Sequence, residues 1–332
     1  MKQLKNTIIK AVAAAAAVLA AIWIIAVCVF AVLFRQTVRR PADGWPHPVP
    51  GGSREAYRTE LLESEAWLAA QQLQNVTITS FDGLTLSAQV LAPVRNVSSS
   101  ASGTPSDIPA GVCICVHGIH SAPDFEFAGI YQFLHELGHT VILVDQRTHG
   151  RSGGTYITFG EKERYDLQSW AEYAAAAFPN TPIWLFGVSM GCASVLMASG
   201  LPLPANVKGF IGDCGYTTPY EIVRVCAIRD YHMPADIVLP AAKLLISSMT
   251  GFDLESCSVP EALKINKKPV LFVHGTNDAY VPYEMSRTNY ESCTAPKFFL
   301  ETSGAHAANF LAEPEAYKRA LKDFFDFCLR QN

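Results

Sequence analysis

Charge is sparse in this sequence and nearly balanced. Charged residues make up 17% of the 332, with 26 Lys and Arg against 30 Asp and Glu for a net −4. No Lys/Arg-rich stretch occurs in the soluble part, so nothing electrostatic recommends nucleic acid as a partner. No pair among the nine cysteines stands at zinc-site spacing with histidines, and no metal is expected. Cys113 and Cys115, two apart in an apolar strand, face one side and read as small buried hydrophobes. A disulfide among Cys214, Cys226, Cys257 and Cys293 is left open. No internal repeat is visible, which argues against a stacked-repeat architecture.

The longest absence is of charge itself: Ala11 to Phe34 carries none. A helix of that length spans the ~30 Å hydrocarbon core of a bilayer. A cleaved signal peptide is the rival reading, but its apolar stretch is roughly 7–15 residues and ends in a small-residue cleavage site. Here the run ends Val32-Leu33-Phe34-Arg35 without one, which favours an uncleaved single-pass anchor. Lys2, Lys5 and Lys10 precede the run and Arg35, Arg39 and Arg40 follow it, so flanking charge barely orients it. A short N-terminal tail before a large domain reads as tail inside, with that domain extracytoplasmic.

Beyond the anchor, residues 41–52 are rich in Pro and Gly and read as a linker, and 53–74 as an amphipathic covering helix. Val76–Ser80 and Leu84–Leu91 read as a hairpin closed at Asp82-Gly83. Residues 95–109 read as a surface loop, and Asn75 and Asn96 match the glycosylation acceptor pattern. Apolar strands then alternate with helices: Val112–Val116, Thr140–Val144, Ile183–Val188, Val207–Gly212, Val270–His274 and Phe298–Glu301. The helices are expected at Phe125–Leu137, Lys162–Phe178, Met190–Ser199, Tyr283–Cys293 and Glu313–Leu329. This predicts an α/β fold with a mostly parallel sheet covered on both faces. The expected domains are a tail (1–10), an anchor (11–34), a linker with covering helix (35–74) and an α/β domain (75–332). The stretch 216–268 lacks a strand and is longer than a crossover needs. It reads as a helical cap insertion above the C-terminal edge of the sheet.

The chemistry concentrates at Gly187-Val188-Ser189-Met190-Gly191. A serine on a sharp strand-to-helix turn has its oxygen pushed into an open crevice, and the flanking glycines relieve the crowding of helix against strand. A serine hydroxyl needs a base at neutral pH. His306, in the loop after the last strand, is the histidine suitably late in the chain; its imidazole needs a carboxylate to fix its tautomer. Asp278 follows the strand Val270–His274 and is the preferred acid, with Asp213, ending the neighbouring strand, as its competitor. An oxyanion would be held by the backbone N–H of Met190 and by that of Ile119 in the loop after Val112–Val116. His117 and His274 read as structural, His120 as a candidate pocket residue and His149 as part of a turn.

These motifs, with His117-Gly118, the turn from Asp145 to Ser152, His274-Gly275-Thr276-Asn277-Asp278 and Gly304-Ala305-His306-Ala307, resemble the α/β-hydrolase family. More narrowly, the chain is similar to membrane-anchored bacterial serine hydrolases of esterase or lysophospholipase type. The resemblance covers roughly residues 75–330 and implies an intact Ser–Asp–His triad, with the Asp145–Ser152 turn bracing the loop beneath the site. The expected reaction is cleavage of a carboxylic ester, small or lipid-like, through an acyl-enzyme, without cofactor. The alternatives are a peptidase or amidase using the same triad, and a non-enzymatic membrane-anchored binding module.

Overall fold

The computed structural model describes residues 2–93 and 111–331; the loop read at 95–109, with Asn96, lies outside the described residues. In chain order, helix α1 (Lys2–Val38) is followed by a 3-10 turn (Gly52–Tyr57), α2 (Arg58–Ala69), β1 (Leu73–Thr79), β2 (Thr85–Leu91) and β3 (Val112–Val116). Next come α3 (Pro123–Glu126), α4 (Ile130–Glu136), β4 (Thr140–Asp145), α5 (Glu163–Ala177), β5 (Ile183–Val188), α6 (Met190–Ala198) and β6 (Val207–Asp213). The chain continues through α7 (Pro219–Tyr231), α8 (Ala235–Thr250), α9 (Val259–Ile265), β7 (Val270–Gly275) and α10 (Tyr283–Ser292). It closes with β8 (Lys297–Thr302), α11 (Asn309–Ala312) and α12 (Pro314–Arg330).

Two compact units result, one from Met1–Arg39 with Tyr220–Ser256, the other from Arg40–Pro219 with Cys257–Asn332. The larger unit holds an eight-stranded sheet in the order β1-β2-β4-β3-β5-β6-β7-β8. Its first two strands form the expected hairpin and join β4 antiparallel; the pairings from β3 to β8 are parallel. β3, β4, β5 and β7 are buried at every residue, as a sheet covered on both faces requires. Cys113, Cys115, Trp184 and Phe186 meet Tyr131 and Leu134 of α4 and Tyr317, Phe324 and Phe325 of α12 in one apolar cluster. All nine cysteines are free thiols.

Several elements differ from expectation: the covering helix read over 53–74 is α-helical only over Arg58–Ala69 and gives way to β1 at Leu73, and the short α11 is additional. The single helix read over Phe125–Leu137 is broken: Gly129 takes φ +76°, and the Phe310 ring occupies the place a Cβ there would need. Helix α9 was not anticipated, although Ser258 accepts from the Glu261 N–H, a cap signature legible in Ser258-x-x-Glu261.

The smaller unit is helical. Along α1, Val27, Phe30, Ala31, Phe34 and Val38 are buried, whereas the residues from Leu4 to Ile25 are mostly exposed. α1 runs against α8: the Trp23 indole donates to the Ile237 carbonyl at 3.0 Å, Phe30 meets Tyr231 edge-on and Phe34 meets Phe252. α1 is long and apolar enough to be a candidate membrane span.

Candidate active site

The turn between β5 and α6 is as sharp as its glycines suggest. Ser189 takes φ 57° and ψ −119°, a region a non-glycine residue enters only under strain, on the order of 1–3 kcal/mol. Its N–H donates to the Asp213 carbonyl at 2.8 Å, which ties the elbow to the adjacent strand. A Cβ on Gly187 would strike the Gly191 carbonyl, and one on Gly191 would strike that of Val116. Glycine is required there by close approach of backbones rather than by φ.

Against Ser189 lies His306, its Nε2 2.9 Å from the Ser189 Oγ. The other ring nitrogen, Nδ1, stands 2.7 Å from the Asp278 Oδ2. Asp278 also accepts from the backbone N–H groups of Tyr280 and Val281 at 2.7 and 2.9 Å, and its Oδ2 lies 3.2 Å from the His274 Nε2. Burial alone would raise this carboxyl, but the bonds from His274, His306 and Val281 outweigh it and hold it well below the usual carboxylate range. Asp213 has other partners: Asn309 Nδ2 at 2.5 Å and the Tyr317 hydroxyl at 2.8 Å. Burial raises its carboxyl pKa. The structure therefore joins Ser189, His306 and Asp278 in one hydrogen-bonded line and turns Asp213 toward α11 and α12.

The loop after β3 closes over the serine. A Cβ on Gly118 would sit 3.1 Å from the Ser189 Cβ, and Ile119 is the next residue of that loop. Met190 opens α6, so its N–H belongs to the first turn of a helix, where donors have no intrahelical acceptor. Below the loop, the His117 Nε2 accepts the Gln146 N–H at 3.1 Å, and the His149 Nε2 accepts the His120 N–H at 3.0 Å. Burial lowers the pKa of both imidazoles, consistent with these acceptor roles. Arg147 is clamped by both oxygens of Asp166 at 2.7 Å, and Ser152 donates to the Asp145 carbonyl at 2.6 Å.

Sequence reasoning missed the work of residues 40–57. Arg40 donates to the Gly150 carbonyl at 2.8 Å, and the Trp45 ring lies 4.0 Å from that of His120. His47 bonds Asp124 at 3.1 Å. Arg54 pairs with Glu126 at 2.5 Å, and both side chains are nearly buried. Ser121 donates to the same carboxylate. Burial would raise the Glu126 carboxyl, but the Arg54 charge and these bonds bring it below its ordinary value. A small cleft takes in this pair together with Leu61, Phe125, Phe310 and Leu311, and reaches Val188 and Ala307, the chain neighbours of Ser189 and His306.

A parallel sheet carrying a strained serine at a strand–helix elbow, with histidine and aspartate after later strands, is the arrangement of the α/β-hydrolase fold, and the chain has that fold. Residues 107–220 match the family model described as serine aminopeptidase, S33. Two relatives are similar in sequence. YqkD, an uncharacterized protein of Bacillus subtilis, is 27% identical over 67% of this chain and 73% of its own. A monoacylglycerol lipase of Mycolicibacterium smegmatis is 24% identical over 64% of this chain and 86% of its own. Among solved structures, the Pyrococcus furiosus esterase Pf2001 superposes with a TM-score of 0.63 at 20% identity, covering 87% of this chain and 98% of that one. The protein thus has the α/β-hydrolase fold and is similar to proteins named as an esterase, a lipase and a peptidase family.

Proposed function

We propose that the protein is a membrane-anchored serine hydrolase that cleaves carboxylic esters. The observation that carries this reading is the line Asp278 Oδ2–His306–Ser189 Oγ, at 2.7 and 2.9 Å. Ser189 attacks the ester carbonyl carbon while His306 takes its proton through Nε2. Asp278 holds the Nδ1 proton and stabilises the imidazolium. The Ile119 and Met190 N–H groups receive the oxyanion. When the tetrahedral adduct collapses, His306 protonates the departing alkoxide. A water that gives its proton to His306 then attacks the acyl-enzyme, and release of the acid regenerates Ser189. Neither metal nor organic cofactor takes part.

Helix α1 is the anchor in this reading. Support for retention over cleavage comes from its C-terminal half: removing α1 would strip the cover from the buried face of α8. The catalytic domain lies on the extracytoplasmic side, and an ester, small or lipid-like, is the substrate. The name of the matching family model favours a second reading, an aminopeptidase using the same three residues.

A fluorophosphonate probe tests the nucleophile: wild type is labelled and Ser189→Ala is not. Labelling that survives in Ser189→Ala removes the assignment, and an unlabelled wild type favours a binding module. p-Nitrophenyl esters of rising chain length, run beside aminoacyl p-nitroanilides, separate esterase from peptidase. Preference for the anilides would replace the ester reading.

A further inference from the structure

Helix α8 is apolar on two opposite faces. Val238, Leu239, Ala242 and Ile246 form its buried face, and α1 packs along this helix. The other face carries Ile237 and Leu244, seven residues apart and 62% and 69% exposed. Its charged residues fall on one narrow ribbon, Asp236 and Lys243, and each is paired, Asp236 with Arg224 and Lys243 with Glu255. A helix with apolar residues on opposite faces calls for apolar surroundings on both. α1 supplies such a surrounding on one face only.

The position of this helix along α1 says what supplies the other. A span needs about 20 residues. Between Lys10 and Arg35, every such window ends at a residue from Phe30 to Phe34. Trp23, which holds the Ile237 carbonyl, then lies about 10–16 Å inside that end, at 1.5 Å per residue. That is deeper than the roughly 5–10 Å to which purely interfacial helices bury their apolar faces, so Ile237 stands at the level of the acyl chains. Anionic headgroups are not the attraction, because residues 219–256 hold three basic residues against five acidic ones.

We infer that the hairpin of α7 and α8 is itself a membrane-seated element. It follows α1 from the headgroup boundary into the acyl region of the bilayer that α1 crosses, with Ile237 and Leu244 turned to lipid. This rests on the proposed anchor and adds a second, apolar contact with the lipid surface.

The test uses the full chain in phosphatidylcholine nanodiscs containing lipids that carry a nitroxide on the upper acyl chain. Cys28 is exposed on α1 and reports the anchor when labelled with an environment-sensitive fluorophore in a Cys226→Ser background. Ile237→Cys, Leu244→Cys and, as an aqueous control in the same unit, Ser256→Cys are labelled in a Cys28→Ser, Cys226→Ser background. Fluorophosphonate labelling of each variant checks that it is folded. The expected result is quenching at 28, 237 and 244 several-fold stronger than at 256. Quenching at 28 with 237 and 244 no stronger than 256 overturns the hairpin and leaves the anchor standing. If position 28 also escapes quenching, the anchor falls and the hairpin with it.

Discussion

Asp213 closes β6 and Asp278 follows β7, so chain position alone left both as partners for His306. Their ligands separate them. Asp213 is saturated by Asn309 and Tyr317, residues about a hundred positions downstream, whereas Asp278 reaches Nδ1 of the imidazole. Asp278→Asn should therefore lower kcat/KM for a p-nitrophenyl ester by about 10⁴-fold, on the scale of a triad acid change. Asp213→Asn, whose amide can still accept from Tyr317, should stay within about tenfold. The reverse order would exchange their roles. A pH dependence follows as well. Because the folded Asp278 carboxyl titrates below its unfolded value, its stabilising contribution is complete above the unfolded pKa, about 4, and is lost as pH falls below it. The melting-temperature gap between wild type and Asp278→Asn should therefore narrow from pH 5 toward pH 3, and a gap that widens in acid contradicts this.

At the scale of elements, local signals were the legible ones. The elbow at Ser189 rests on five consecutive residues, and the alternation of strand and helix on short apolar runs. Residues 40–57 show the opposite case. Their Pro- and Gly-rich composition says only that they form no long helix. Their contacts are with partners that no spacing rule pairs, such as Arg54 with Glu126 across 72 residues. Breaking a nearly buried ion pair from one side leaves an uncompensated charge, at a cost of about 3–5 kcal/mol. Arg54→Ala should lower the melting temperature clearly, and adding Glu126→Gln should restore part of the loss. If the double variant is no more stable than Arg54→Ala, the stranded carboxylate is not the cause.

For the whole molecule, an α/β fold with a parallel sheet followed from sequence because each strand announced itself. The alliance of α1 with residues 220–256 did not, since a uniformly apolar helix carries no mark of which face meets protein and which meets lipid. The full chain should resist carbonate extraction and sediment with membranes. Deleting residues 1–39 should yield a chain that aggregates or elutes as large oligomers without detergent, because Val238, Leu239 and Ile246 lose their cover. A monodisperse, detergent-free monomer would show that α1 is dispensable to α8.

The backbone of Ser189 implies a trade between durability and turnover. At φ 57° the proposed nucleophile occupies a conformation that glycine tolerates and other residues resist. Ser189→Ala keeps the Cβ and with it the strain; Ser189→Gly releases it. Both should be inactive, but the glycine variant should outlast the alanine variant on heating, so that a chain relieved of its strained elbow becomes the more robust protein.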